Sequence, residues 1–330
     1  MATSTPTSPP TGRGRSGSGR RGLGRRLGRF GKQTFISLLG EDRFLRARAA
    51  HHLRRRRRRG LELLLIHTMG KVGSTSISAS LRQLGIRRTT VVYQPHFISD
   101  QGRAFAERLA IEGVGSWDRL VKKERSGFLR NRQLCAELAR MRATGERVRV
   151  ITMVRDPVAT NVSGLFHNHL WWPAEVKALC AASAPGCLDA LEGYFLNSYP
   201  HDVPDTWFDM EVLPLYGIDV YAQPFDRERG YAIYRSDFAD VLLLKLEKLN
   251  DCAAEAFRAF MGLEAFQLVA SNTAEDKSYA DLYKAFRREV ALPASYLDAQ
   301  YATRFAGHFY TAEERAAFRR KWLAPAAQTA

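Results

Sequence analysis

The stretch LELLLIHTMGKVGSTSISAS, residues 61–80, decides how the chain folds. A short apolar run over residues 63–66 stops at a loop holding Gly70, Lys71, Gly73, Ser74, Thr75 and Ser76. Apolar spacing resumes at Ile77, Leu81 and Leu84, ahead of Gly85. This order predicts a strand, a tight loop and the start of a helix. Amides in the first turn of a helix have no intrahelical partner and carry partial positive charge, so such a loop attracts phosphate or sulfate. Glycines allow close backbone approach, hydroxyls add donors, and lysine adds a full charge. In the nucleotide triphosphatase loop GxxxxGK[ST] the lysine follows the last glycine. Here Lys71 precedes Gly73, so the phosphate loop is of another kind.

A second informative segment is ITMVRDPVATNVSGLF, residues 151–166. It predicts a buried strand ending at Val154, Arg155 at its tip, and a helix opened by Asp156 and Pro157. Ser163 stands eight residues past Arg155, about two helical turns on, so the two share one anion only if the turn before the helix folds back. From residue 61 onward short apolar runs alternate with helical patterns. Strands are expected at 61–66, 90–94, 148–154 and 231–234. Helices are expected at 75–84, 101–112, 128–143, 237–249 and 252–261, with more near 279–290 and 311–322. Residues 171–223 break into turns and aromatics and read as irregular. Strands alternating with helices imply a parallel sheet wrapped by helices, with ligands beyond the carboxyl ends of the strands.

The 50 Lys/Arg against 34 Asp/Glu suggest a nucleic-acid binder until the charge is located. Residues 1–60 hold 17 of the basic residues and only Glu41 and Asp42 as acids, so the remainder is nearly neutral. The chain therefore divides into a basic tail, 1–59, and a folded domain, 60–330. Residues 1–29 are Ser, Thr, Pro, Gly and Arg with almost nothing to bury, which predicts disorder. Phe30, Phe35, Ile36, Leu38, Leu39, Phe44 and Leu45 could form a short basic amphipathic helix, and residues 54–59 are six arginines. The tail reads either as a solvated arm or as a region, 13–59, drawn to an anionic membrane surface or polyanion. No reading module for sequence-specific nucleic-acid recognition follows it.

No apolar run approaches the roughly 18–20 residues that span a bilayer, and the stretch at 35–39 is too short for a secretory signal. The expectation is a cytoplasmic chain, at most peripheral to the inner face of the membrane. Cys135, Cys180, Cys187 and Cys252 lack metal-ligand spacing and read as reduced thiols.

Together the two anion segments resemble the paired motifs of sulfotransferases that use 3′-phosphoadenosine 5′-phosphosulfate (PAPS). The first motif of that family, K-x-G-[ST]-[ST], corresponds to Lys71, Val72, Gly73, Ser74 and Thr75. The second, an arginine and a serine eight apart, corresponds to Arg155 and Ser163. The C-terminal part, with Asn272, Lys277, Tyr279, Tyr283 and HFYTAEERAAFRRKW, is similar to a bacterial sulfotransferase-like branch linked to capsular polysaccharide synthesis. The resemblance spans roughly residues 60–323. It implies an α/β fold of the sulfotransferase type, a P-loop-like three-layer sandwich whose central parallel sheet is flanked by helices. It also implies transfer of a sulfuryl group from PAPS, as co-substrate, to a hydroxyl of a carbohydrate acceptor in a surface polysaccharide or glycolipid, without a metal.

By the same resemblance, Lys71, Gly73, Ser74, Thr75 and Ser76 hold the 5′-phosphosulfate, and Arg155 and Ser163 hold the 3′-phosphate. One departure is Ser76, where cytosolic members carry an aromatic. His96, in YQPHFIS just past the second strand, is the candidate base, because the family places a catalytic histidine there. His67 ends the first strand and reads mainly as a packed histidine beneath the loop. His167 and His169 read as loop or pocket-lining residues. Trp171, Trp172 and Trp207 serve either packing or sugar stacking, and Asn272, Lys277 and Tyr279 either approach the ligands or cap a surface helix. Two rivals stand beside this reading: a P-loop kinase or nucleotidase, and a catalytically silent polyanion-binding protein.

Overall fold

The chain is known from a computed structural model that describes residues 40–181, 185–269 and 279–323. Its frame is a five-stranded sheet with helices around it. The strands are β1 (Glu62–Ile66), β2 (Thr90–Tyr93), β3 (Val148–Val154), β4 (Tyr231–Arg235) and β5 (Ala239–Lys245), in the order β2-β1-β3-β5-β4. The first four in that order are parallel, whereas β4 pairs antiparallel with β5 at the edge. The sheet is thus mixed rather than wholly parallel.

β5 also corrects the helix expected at 237–249. Its run of Val241, Leu242, Leu243 and Leu244 is buried on both faces between β3 and β4. A doubly buried strand loses the alternation that would mark it, and a short apolar run then looks like helix.

The connections decide where the site lies. β1 leads through α2 (Ser74–Gln83) to β2 on one side. β2 leads through α3 (Asp100–Val114) and α4 (Lys122–Ala143) back across β1 to β3 on the other. Right-handed crossovers running in opposite directions put α2 on one face and α3 and α4 on the other. The chain reverses direction between β1 and β3, which opens a crevice outside their carboxyl ends.

After β3 comes α5 (Pro157–His167), capped by Asp156, whose side chain accepts from the Val158 amide at 3.0 Å. The segment expected to be irregular is instead helical over much of its length: α6 (Ala174–Ala181), α7 (Cys187–Ser198), α8 (Val203–Trp207), a π turn (Phe208–Val212) and α9 (Leu213–Tyr216). Its aromatics are core residues, Trp207 and Tyr216 fully buried against the sheet and Phe195 beneath α5. α10 (Leu249–Met261), α11 (Ala280–Glu289), α12 (Ala294–Tyr301), α13 (Arg304–Phe309) and α14 (Ala312–Leu323) complete the domain. Cys180 and Cys187, expected as free thiols, are joined in a disulfide. Their Cα atoms lie 4.9 Å apart, and Gly186 (φ +87°) leads the chain into α7.

The boundary at residue 59 is also redrawn. Residues 1–39 lie outside the described part, but the last part of the expected tail is a helix, α1 (Glu41–Arg58), packed along α4. Glu41 and Asp42 in its first turn and four arginines in its last suit the helix dipole. Leu45, Leu53 and Arg56 fall on one face and are buried. Arg56 Nη2 donates to Glu137 at 2.8 Å, with both side chains 4 % exposed. Arg57 and Arg140 join the same carboxylate. Burial alone would raise the Glu137 pKa, but the bonds from Arg140 and Arg56 outweigh it and hold it below the usual range. The arginine run is therefore split by helical geometry into an inward anchor and exposed neighbours. No helix among the described residues is long and apolar enough to cross a membrane.

Candidate active site

Both anion segments arrive at the crevice and touch. Gly70 (φ +94°), Lys71 (φ +59°) and Gly73 (φ +89°) all take left-handed backbone conformations, and Lys71 is the non-glycine residue that does so among the described residues. At Gly73 a Cβ would stand 2.7 Å from a Leu246 methyl as well as being strained. Gly73 caps α2 without a side chain, so the first-turn amides of Ser74 and Thr75 are offered to a ligand. Arg155, at the tip of β3, donates from Nη1 to the Lys71 carbonyl at 2.8 Å. That bond ties the two segments and leaves the rest of the five guanidinium donors. Gln94 ties in β2, donating from Nε2 to the Ser74 carbonyl at 3.0 Å.

Lys71, Gly73, Ser74, Thr75, Ser76, His96, Arg155 and Ser163 all line one cleft of about 1700 Å³. Single-ligand sites occupy roughly 300–1,000 Å³, so this one has room for two ligands side by side. Ser163 stands six residues into α5 from Pro157, about 9 Å along its axis. Between Arg155 and Ser163 lies Thr160, which neither motif singles out. It lines the cleft, is 6 % exposed, and its hydroxyl has no hydrogen-bond partner among the described residues. An unsatisfied buried hydroxyl costs free energy unless something bonds to it. An anion or a polar ligand edge between Arg155 and Ser163 would do so.

His96 faces the loop across Gly70, whose Cβ would sit 3.8 Å from the imidazole. Its Nδ1 lies 2.8 Å from the Thr68 carbonyl. A carbonyl only accepts, so Nδ1 carries the hydrogen and Nε2 keeps its lone pair. The ring opens into the cleft, and desolvation by the surrounding walls lowers its pKa, outweighing the Thr68 bond; the charges of His67, Lys71 and Arg130 lower it further. A neutral imidazole with a free Nε2 can take a proton.

The backbone around His96 is held from below. Trp207 Nε1 donates to the His96 carbonyl at 2.9 Å, and Asn131 Nδ2 to the Phe97 carbonyl at 3.0 Å. Glu211, fully buried, accepts from the Ile98 and Ser99 amides and the Ser99 hydroxyl. His67 is part of this support. It is 0 % exposed, 3.1 Å from Glu211, 2.8 Å from the Tyr216 hydroxyl and edge-on to Trp207. That agrees with its reading as a packed histidine.

The remaining candidates divide. His167, His169 and Trp171 line the cleft, Trp171 held by a bond from Nε1 to Glu124 at 2.9 Å. Trp172 packs inward and donates to the Leu165 carbonyl. Tyr279 and Tyr283 of the α11 region line the far wall. Asn272 and Lys277 lie outside the described residues. The carboxylates just past β3 and β5 are both occupied internally. Asp156 accepts from Val158, Tyr301 and Trp322, and Glu247 from the Asp156 amide and Tyr310.

Comparison with known proteins gives one match. Residues 191–311 match the family model NKWYS, described as "Putative capsular polysaccharide synthesis protein". That description points to a carbohydrate-related function. No curated protein and no solved structure matches the chain. The matched part contains Trp207, Glu211 and Tyr216, which support the cleft, and stops short of Lys71, His96, Arg155 and Ser163.

Proposed function

We propose that this protein transfers a sulfuryl group from PAPS to a hydroxyl of a carbohydrate, on a fold of the sulfotransferase type. The observation that carries the reading is the Arg155–Lys71 bond, which joins two separate anion motifs at the crevice between β1 and β3 while His96 stands across Gly70. The match to a capsular polysaccharide family supports a saccharide acceptor. The engagement of Asp156 and Glu247 inside the protein favours this reading over a kinase that would hold magnesium on a strand-end carboxylate.

PAPS supplies the transferable sulfuryl group, and the bond between its sulfur and the 5′-phosphate is the one that breaks. His96 Nε2 takes the proton of the acceptor hydroxyl as that oxygen bonds to sulfur. Lys71 and the α2 amides stabilise the charge that grows on the departing phosphate, where fixed donors act most strongly. Arg155, Thr160 and Ser163 hold the 3′-phosphate side and set the distance from it to Lys71. Positioning supplies most of the acceleration. The exposed arginines of α1 and the basic residues before it would draw the enzyme to an anionic membrane or polyanion.

The deciding experiment is equilibrium titration of the full chain with adenosine 3′,5′-bisphosphate, AMP and ATP. The bisphosphate should bind at least tenfold more tightly than AMP. Equal affinities would remove the cofactor assignment.

A further inference from the structure

Arg130 of α4 is set apart from the other arginines of its helix. Arg125 pairs with Glu41 and Asp42, Arg132 with Glu107, and Arg140 with Glu137 and Glu146. Arg142 donates to the Leu215 carbonyl. Arg130 is half-buried, lines the cleft, and makes no hydrogen bond or ion pair among the described residues. Burial lowers its pKa, yet a guanidinium stays charged at neutral pH. A desolvated cation without a counter-charge is costly, and in a cleft it marks a place where a ligand supplies the missing charge.

The wall around it repeats the pattern. Lys123, Gly127, Arg130 and Asn131 fall on one face of α4 and line the cleft. Lys123 and Arg119 add positive charge without an ion pair among the described residues. The two carboxylates of this wall are already used, Glu112 by Arg108 at 3.8 Å and Glu124 by Trp171 and the Val121 amide. Gly127 leaves open space beside Arg130, with nothing within 4 Å of where a Cβ would be. Arg130 is also linked to the base: the next residue, Asn131, holds the Phe97 carbonyl, and the Arg130 charge helps to lower the His96 pKa.

We infer that the acceptor is an acidic saccharide, and that Arg130 binds its carboxylate while the neighbouring hydroxyl faces His96. This rests on the sulfuryl-transfer reading of the cleft. A planar guanidinium matches a carboxylate through two parallel hydrogen bonds, a geometry a lysine does not reproduce. Arg130 thereby selects the acceptor, while Lys71 and Arg155 select the donor.

The test uses the full chain saturated with adenosine 3′,5′-bisphosphate. It is titrated with tetrasaccharides from heparosan, hyaluronan and oligogalacturonate, each beside its carboxyl-reduced counterpart. At least one acidic member should bind tenfold or more tightly than its neutral form. Arg130→Gln should erase that preference to within twofold, Arg130→Lys should keep part of it, and both should bind the bisphosphate within twofold of the parent. The unchanged nucleotide affinity certifies the fold of each variant. Absence of any acidic preference, or its survival in Arg130→Gln, overturns the proposal. A tenfold loss of bisphosphate affinity in Arg130→Gln also overturns it, by assigning Arg130 to the nucleotide. Equal binding of AMP and the bisphosphate would instead break the cofactor reading and leave the acidic preference standing.

Discussion

Two arginine-rich regions of this molecule use the same side chain in opposite ways. Along the seam between α1 and α4, Arg56, Arg57 and Arg140 converge on Glu137, and Arg140 also holds Glu146. In the cleft, Arg130 has no carboxylate among the described residues, and Arg155 bonds only to a backbone carbonyl there. Charge that is neutralised inside the protein holds elements together. Charge left without a counter-ion beside a cavity waits for a ligand. A count of arginines does not separate the two; the partner does.

If the contrast is real, damage on each side should appear in different measurements. Removing residues 1–59 takes away α1 with Leu45, Leu53 and Arg56, and leaves Glu137 buried with fewer partners. Each buried leucine contributes about 1.5–3 kcal/mol, so chemical denaturation should show a loss of about 5 kcal/mol. Full stability after that deletion would mean that the seam holds nothing.

On the cleft side, His96→Ala should lower sulfuryl transfer by about 10²–10⁴, the usual range for a positioned base. Its affinity for the bisphosphate should stay within twofold, because the imidazole faces the acceptor. The pH profile of the parent sharpens this. As the proposed base, His96 would act in its neutral form, and desolvation by the cleft walls holds its pKa below the ordinary imidazole value. The acid limb of kcat/KM should therefore fall below that value, with activity lost as pH drops through it. A limb above pH 7 would point to another base.

Glu137→Ala removes the shared carboxylate and strands Arg56 in the seam. Breaking one side of a buried pair costs about 3–5 kcal/mol. Arg56 lies 3.5 Å from Glu146, which partly replaces the lost partner, so a value near 3 kcal/mol is expected from denaturant unfolding. Nucleotide affinity should not move. Arg155→Ala should do the reverse, costing about 2 kcal/mol of bisphosphate affinity, the scale of a charge-assisted contact, with an unchanged unfolding midpoint. Smallest of all, deleting residues 1–39 alone should leave stability and nucleotide affinity within error. Vesicle co-sedimentation would then divide membrane attraction between that segment and α1.

Much of the frame was legible because local chemistry and topology agree there. Residues 61–80 announce strand, loop and helix, and Arg155 follows a buried strand, so each part sits where its own residues demand. β5 was misread because burial on both faces erases the strand period. The Cys180–Cys187 bond was missed because pairing depends on the approach of the end of α6 to the start of α7, which a spacing of seven residues does not dictate. α1 was misread for a related reason. Six arginines in a row look uniform until a helix rotates one of them, Arg56, toward Glu137, eighty-one residues away. Thr160 and Arg130 were invisible because what marks them is a missing partner, which only three dimensions reveal.

The π turn at Phe208–Val212 has a consequence for how this protein can vary. Nine residues of regular α-helix would carry Trp207 and Tyr216 to opposite sides of its axis, since each residue advances about 100°. Both nevertheless reach His67, and Trp207 also holds the His96 carbonyl. The wider turn between them makes that convergence possible. Straightening this segment into regular α-helix at constant length would therefore turn Tyr216 away from His67, whereas removing one residue leaves eight steps of about 100°, only about 80° past two full turns, and keeps Tyr216 on the Trp207 side. What is fixed here is the angle between Trp207 and Tyr216, and a shorter regular helix meets it better than a regular helix of the same length.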